Sequence, residues 1–205
     1  MARSGNVPIL DPQKERTLAI ATVKLKSFSP YSQSNYFESE KKQSESHDER
    51  ERRCWREKMH VEEGEVVIPL GQFKAALDEA AARLGTIKID KKGLKNFIEP
   101  GIVIAEHVKI GVKAEDVKCE RVMCNADGQP SKYSKSGKVP RLFPLIPSWT
   151  GTLKITVLDG RINEEHIRAC LKEAGLFVGI GRWRAGNRGQ YGRFLVEKMT
   201  WEEKF

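Results

Sequence analysis

The segment from Gly179 to Phe194, which we call the arginine loop, combines residue types that bind phosphates and bases of nucleic acids. Its sequence, GIGRWRAGNRGQYGRF, holds five glycines, four arginines and no acid. Glycine lets a backbone approach a phosphate closely, and the planar guanidinium of arginine matches phosphate oxygens. An aromatic ring that stacks on a base contributes about 1–3 kcal/mol. We therefore expect phosphate contacts from Arg182, Arg184, Arg188 and Arg193, and base stacking on Trp183 or Tyr191.

Other glycine-rich sites fit this segment less well. In a dinucleotide site the glycines precede a helix, whereas here they follow one, and no GK[ST] of a phosphate-binding P-loop is present. One structural alternative stays open, a long β-hairpin with a basic tip whose aromatic residues belong to the core. With no acid in the segment, we expect its arginines to lack a counter-charge.

The charge of the whole chain points to the same kind of partner. The 205 residues include 36 Lys and Arg against 28 Asp and Glu, a net charge of +8 that favours an acidic partner such as nucleic acid. A hydrophobic content of 39% supports one folded domain. With neither an export signal nor a long apolar run, we expect a cytoplasmic protein with free thiols and no membrane contact.

A second basic segment lies at residues 125–139. It is rich in Gly, Ser and Lys and has no apolar periodicity, so we expect a flexible loop. Around Tyr133 it carries three lysines that we expect to bind nucleic acid, Lys132, Lys135 and Lys138. The alternative is a loop that only increases solubility.

Residues 38–65 have a different character, with ten acids, seven bases and few apolar residues. They predict a mobile charged insertion with a short helix around 48–59. Its bases and one aromatic ring, Arg50, Arg52, Arg53 and Trp55, favour either a finger over a bound strand or a solvated helix with internal ion pairs.

The remaining chain predicts an α+β fold. Apolar alternation predicts strands near 17–28 and 151–158, and apolar residues at helical spacing predict helices after Pro69 and after Asn163, the second ending at Gly175. A strand, helix, strand unit occurs twice, which favours a ferredoxin-like (RRM-like) β-α-β-β-α-β core. We place an N-terminal arm at 1–16, one domain at 17–199 and a C-terminal tail at 200–205.

Three segments resemble the RAMP superfamily of CRISPR-associated RNA-binding proteins. The end of the arginine loop, from Arg188 to Phe194, is similar to the superfamily's C-terminal glycine-rich loop. Residues 67–77, VIPLGQFKAAL, resemble the strand-to-helix segment of its backbone subunits, and residues 24–34 resemble its first strand and following loop. Leu70-Gly71-Gln72 departs from the Gly-Ser-Ser more frequent in the superfamily.

The resemblance implies a role in antiviral defence. It implies a ferredoxin-like fold, guide-RNA binding with Lys74 on a phosphate, and copies assembled along one strand with other CRISPR effector subunits. Because the chain is shorter than most backbone subunits, it also favours a stand-alone relative from a phage or mobile element.

We expect the protein to be a non-catalytic binder of single-stranded RNA or DNA, without cofactor or metal. Some members of the superfamily are metal-independent ribonucleases that use a histidine, and His60 and His107 are the candidates here, while His166 is expected to be solvated. No Asp, Glu or His lies between Ser27 and Phe37, where other members carry a catalytic aspartate.

Two functional alternatives remain, and metal binding is not favoured. The protein could be a metal-independent endoribonuclease that processes CRISPR RNA, or a phage-encoded mimic of a CRISPR subunit that binds effector proteins or guide RNA. Cys119 and Cys124 are spaced too widely for a common zinc knuckle, and no second metal-spaced pair follows.

Overall fold

The computed structural model of the protein describes residues 18–40, 42–129 and 133–204. The expected arm, 1–16, and Lys132 lie outside these residues. Within them the chain forms four α-helices and twelve β-strands. The helices are α1 (His47–Cys54), α2 (Leu70–Arg83), α3 (Lys95–Gly101) and α4 (Glu164–Glu173). The strands are β1 (Leu18–Ser27), β2 (Tyr31–Ser32), β3 (Val61–Glu62), β4 (Glu65–Ile68), β5 (Lys88–Ile89), β6 (Lys92–Gly93), β7 (Ile102–Val103), β8 (Val108–Lys113), β9 (Lys118–Asn125), β10 (Lys138–Ile146), β11 (Thr150–Val157) and β12 (Phe194–Lys204). The predicted α+β class is confirmed.

Strand β1 lies inside a four-stranded sheet of order β12-β1-β11-β7, in which all neighbours are antiparallel. Side chains alternate along β1 as the period of a strand requires. Ala21, Val23 and Leu25 are buried, whereas Lys24 and Lys26 are exposed. The register sets the buried residues of β1 beside those of β11, so that the apolar residues of both strands share one face.

Helices α2 and α4 pack on the apolar face of this sheet. Phe73 and Leu77 of α2 and Ile167 and Leu171 of α4 are buried in the same hydrophobic cluster as the inward residues of β1 and β11. The cluster fixes both helices against the sheet. It therefore also fixes the start of α2 and the chain that leaves α4, which border the arginine loop.

The two ends of α4 differ in how well the sequence predicts them. Asn163 caps the first turn as predicted, since its side chain accepts a hydrogen bond from the backbone three residues later. The predicted end at Gly175 is wrong, because the chain continues as a π-helical turn over Ala174–Val178. Gly175 instead faces β12, where a Cβ would overlap the carbonyl oxygen of Phe194. The turn ends at Gly179, which has φ 72°.

The charged segment 38–65 forms α1 and packs on a second sheet of order β2-β10-β9. The short helix predicted near 48–59 corresponds to α1 and the 3-10 turn Trp55–Lys58 that follows it. Trp55 and Met59 are buried in the hydrophobic cluster. A place for Trp55 in a finger over a bound strand is therefore wrong, because its ring is buried in the core.

Strand β12 extends beyond the domain boundary that the sequence predicts at residue 199. It pairs with β1 from Phe194 opposite Ser27 to Lys204 opposite Leu18. Residues 200–204, expected as a tail, are thus part of the sheet. Within the described ranges no helix is long and apolar enough to cross a membrane.

A buried ion pair holds α1 to β10. The Glu51 carboxylate accepts hydrogen bonds from Lys58 Nζ at 2.6 Å, from Arg141 at 2.8 Å and from the backbone amide of Leu142 at 2.9 Å. Burial alone raises the pKa of Glu51, but these three hydrogen bonds outweigh burial and hold the pKa below its usual value. The carboxylate is therefore charged in the folded protein.

Replacing Glu51 with Gln leaves the Lys58 ammonium buried without its partner, so we expect unfolding to require about 3–5 kcal/mol less free energy. Chemical denaturation at neutral pH measures the difference. Because folding lowers the pKa of Glu51, its contribution is present above the ordinary pKa of a glutamate and disappears as the pH falls toward the lowered value. The control is Glu57→Gln, an exposed residue of the same segment. If the Glu51 and Glu57 variants had equal free energies of unfolding, the stabilising role of the buried ion pair would be contradicted.

Candidate nucleic-acid interface

The arginine loop lies against the segment that follows β1. The backbone amide of Arg182 donates to the Ser32 carbonyl at 2.8 Å, and the amide of Gly192 donates to the Pro30 carbonyl at 2.7 Å. Within the loop, the amide of Ile180 donates to the Gly192 carbonyl at 3.0 Å. The loop is therefore folded onto the body of the protein, and the long hairpin considered as an alternative is wrong.

Two glycines permit this close approach. Gly181 has φ 75°, and a Cβ on it would lie 2.5 Å from the carbonyl oxygen of Ser32. Gly192 has φ 72°, and a Cβ there would overlap the carbonyl of Ile180. Both positions combine a left-handed backbone with no room for a side chain, which only glycine satisfies.

Arg182 is largely enclosed and connects the loop to the second sheet. It forms an ion pair with Glu120 of β9, donates from Nε to the Ser32 hydroxyl at 3.0 Å and lies 4.0 Å from the centre of the Phe143 ring. Burial lowers the pKa of its guanidinium, which stays protonated because an arginine pKa starts above 12. Arg182 thereby anchors the loop.

Arg184 connects the loop to α2. One of its terminal nitrogens lies 2.8 Å from a carboxylate oxygen of Glu79, and both side chains are partly exposed. The expectation that the loop's arginines lack a counter-charge is therefore wrong for Arg182 and Arg184. Their acidic partners come from β9 and α2, which are distant in the sequence.

Arg188 and Arg193 carry positive charge that no carboxylate balances within the part of the chain that the structure describes. Arg188 is exposed, and its side chain has neither an ion pair nor a hydrogen bond among those residues. Arg193 donates from Nε to the Leu176 carbonyl at 3.0 Å and from a terminal nitrogen to the Gln190 carbonyl at 3.2 Å. These two arginines are the loop's remaining cationic groups.

The two aromatic residues of the loop contact each other edge to face. The ring centres of Trp183 and Tyr191 lie 4.8 Å apart with an interplanar angle of 84°. The Tyr191 hydroxyl donates to Glu120 at 2.9 Å, whereas the Trp183 side chain is 47% exposed. Trp183 is thus the ring of the pair better placed to stack on a base.

Two adjoining clefts run beside the loop, and we call them together the groove. The first has a volume of about 380 Å³ and lies between α2 and the arginine loop. The second, of about 510 Å³, lies between residues 34–37, α1 and the β9–β10 hairpin. Both are lined by Ser34, where they meet. The basic residues that line the groove are Arg50, Lys58, Arg141, Arg182 and Arg184, and its acidic lining residue is Glu51.

Sequence reasoning missed several residues of the groove. Arg141 and Tyr36 were not predicted, although Tyr36 is 82% exposed and lines the second cleft. The only sequence signal for this side of the groove is the Ser-rich segment after β1. Arg50, expected either in a finger or in a solvated helix, donates from its guanidinium to the Ser39 carbonyl at 2.8 Å.

Of the predicted lysines that the structure describes, none lines the groove. Lys74 Nζ contacts Asp78 at 2.5 Å and the Glu99 carbonyl at 2.9 Å, which directs the side chain toward α3. Lys135 and Lys138 are exposed at the far end of the β9–β10 hairpin. Five residues of β9 separate this end from Glu120, a distance of roughly 17 Å in a strand. The structure therefore does not bring these lysines together with the arginines.

Two of the candidate histidines are engaged in local structure. His107 Nδ1 accepts a hydrogen bond from the backbone amide of Leu70 at the start of α2. His166 Nδ1 accepts from the amide of Asn163 in the cap of α4, and the residue is partly exposed. Burial lowers the pKa of His60 and of His166, so both favour the neutral form at neutral pH.

No group of three or more metal-ligating side chains occurs among residues 18–40, 42–129 and 133–204. Cys119 and Cys124 lie five residues apart on β9, and an odd spacing sets them on opposite faces of the strand. The two thiols therefore do not converge on one ion.

No protein-family model and no curated protein matches this sequence.

Solved structures that resemble the fold include a chain of the Type III-B Cmr-beta bound to cognate target RNA, with 10% identity and a TM-score of 0.49 over 90% of this chain. This chain spans 61% of the length of that one. Cmr6 from Pyrococcus furiosus matches with 15% identity and a TM-score of 0.48 over 88% of this chain and 98% of that one. A CRISPR RNA-guided surveillance complex matches with 15% identity and a TM-score of 0.35, over 77% of this chain and 58% of that one.

Proposed function

We propose that this protein binds a single strand of nucleic acid along the arginine loop and the adjoining groove without cleaving it. The observation that carries the proposal is the pair Arg188 and Arg193, two guanidinium groups that no described carboxylate balances, on the same loop as the exposed ring of Trp183. Guanidinium groups hold phosphates, and an exposed ring stacks on any base. Such contacts follow the backbone and do not select a sequence. RNA is favoured over DNA by the sequence resemblance.

The remaining arginines have separate roles in this proposal. Arg182 positions the loop, because its ion pair and the stacking on Phe143 occupy its guanidinium. Arg184 is partly exposed and exchanges Glu79 for a phosphate when a strand enters the first cleft. Tyr36 offers a second ring further along the groove. Lys74, Lys135 and Lys138 remain predicted contacts that do not line it.

The core is ferredoxin-like in this proposal. Chain order β1, α2, β7, β11, α4, β12 follows the β-α-β-β-α-β plan, and the sheet order β12-β1-β11-β7 supports it. Among the elements that lie between them in the chain, the second sheet and α1 supply the far wall of the groove. Assembly of several copies along one strand, and partnership with CRISPR effector subunits, remain predictions from the resemblance.

Replacing Arg188 and Arg193 together with Ala tests the proposal. We expect weaker binding of single-stranded RNA of every sequence, and a plot of log affinity against log salt whose slope is less steep by about 0.7 for each lost phosphate contact. Fluorescence anisotropy with labelled homopolymers over a range of salt concentrations measures both quantities.

The matched control replaces Arg83 and Arg168 with Ala, two partly exposed arginines in ion pairs on α2 and α4. This control changes the net charge by the same amount but away from the groove. Its slope of log affinity against log salt should therefore equal that of the unmodified protein. Undiminished binding by the double variant of the loop would overturn the proposal, provided that its melting temperature shows that it is folded.

Replacing Glu79 with Gln should strengthen binding. The substitution removes the carboxylate that competes with phosphate for Arg184, and a partly exposed ion pair contributes about 0.2–1 kcal/mol, equivalent to at most about fivefold in affinity. The same anisotropy titration measures the gain, with Glu173→Gln on α4 as the control because it releases Arg83 outside the groove. Weaker binding by the Glu79 variant would show that Arg184 does not contact the strand.

The non-catalytic character is tested by incubating labelled repeat RNA with the protein in a chelator. We expect the RNA to stay intact, because the Nδ1 atoms of His107 and His166 already accept backbone hydrogen bonds. Gel electrophoresis over several hours measures the intact fraction. Cleavage that disappears in His60→Ala or His107→Ala would establish the ribonuclease alternative instead.

A further inference from the structure

The face of the central sheet opposite α2 and α4 is covered by no element of the described chain. Its side chains are the outward residues of β12, β1 and β11, whose register is known. Across the three strands, Lys198, Lys24 and Thr152 form one row, and the next row holds Thr200, Thr22 and Lys154. Lys26 lies beside Thr150 in the row on the other side. We call these eight residues the lysine face, which is bordered by Leu195 beside Lys26 and by Glu202 and Ile20 in the row beyond Thr200 and Thr22.

The lysines of this face are close together and poorly neutralised. Lys24 lies directly opposite Lys198, and like charges in that position destabilise a sheet. Among the described residues, no carboxylate lies within 4.0 Å of the amino groups of Lys24, Lys26 or Lys198, and Lys154 reaches only Glu106, at 3.9 Å. The four side chains are exposed. The face therefore concentrates positive charge at a cost in stability, which a polyanion would relieve.

The other residues of the face indicate which polyanion fits. Threonine hydroxyls and lysine ammonium groups both donate to phosphate oxygens. The outward positions of the three described strands carry no aromatic ring, so the face offers nothing on which unpaired bases could stack. A duplex keeps its bases inside and presents its phosphates outward. The lysine face thus suits a duplex better than a single strand.

We propose that the lysine face binds the phosphate backbone of a double-stranded nucleic acid, separately from the groove. The arginine loop packs against α2, on the other side of the sheet, so one ligand at each site would not collide. This second site stands on the strand register and the exposed lysines, and it does not require that the groove bind a strand.

The test replaces Lys24, Lys154 and Lys198 together with Gln, which keeps the length of the side chains and removes three charges. We expect weaker binding of a labelled RNA duplex, with a salt slope less steep by about 0.9 for each lysine that contacts a phosphate. Replacing the same three residues with Arg should retain duplex binding, which separates loss of charge from loss of fold. The control replaces Lys88, Lys92 and Lys172 with Gln, three exposed lysines on other elements.

Each variant is titrated with the duplex and with a single strand. The proposal requires that the Gln variant lose affinity for the duplex and keep its affinity for the single strand. It is overturned if duplex binding is unchanged, if the control loses as much, or if polyglutamate binds the face more tightly than the duplex does. These outcomes do not depend on the variant of Arg188 and Arg193. The proposal for either site can therefore be overturned while the other is still tested.

Discussion

The candidate groove depends on main-chain hydrogen bonds between the arginine loop and the segment after β1. The amides of Arg182 and Gly192 reach the carbonyls of Ser32 and Pro30, and these bonds form only because glycines let the two backbones approach. The segment after β1 is in turn held in place by hydrogen bonds of its own residue Gln33. Gln33 donates to the Val67 carbonyl at the end of β4 and accepts from the amide of His60, so the loop, α2 and the β3–β4 hairpin share one support.

The positively charged side chains of the protein fall into two groups, those with a carboxylate partner and those without one. Enclosed cations have partners, as Lys58 and Arg141 do with Glu51 and as Arg182 does with Glu120. Cations without partners lie at the surface, in the arginine loop and on the lysine face. This division is the one that solvation requires, because a buried charge needs a counter-charge whereas an exposed one does not. The unpartnered cations are therefore the ones left for an anionic ligand.

Much of the fold follows from local pattern. Alternation predicts β1 and β11, and Asn163 identifies the start of α4, because these signals involve neighbours in the sequence. The pairing of Arg182 with Glu120 could not be predicted, since 62 residues separate the two. Trp55 was misassigned for a related reason: its segment is strongly charged, yet one face of the 3-10 turn meets the core. The groove itself combines segments from five parts of the chain, and only the arginine loop carries a recognisable pattern.

The shape of the arginine loop is set by glycines and main-chain hydrogen bonds, while its surface chemistry resides in side chains that take little part in that framework. Trp183 and Arg188 are exposed, and the loop's docking bonds do not involve their side chains. Substitutions of Arg188, whose side chain has neither an ion pair nor a hydrogen bond among the described residues, can therefore alter what the loop recognises while the docking bonds stay in place. Shape and recognition are encoded by different residues of one short segment, which leaves ligand preference free to diverge on a constant scaffold.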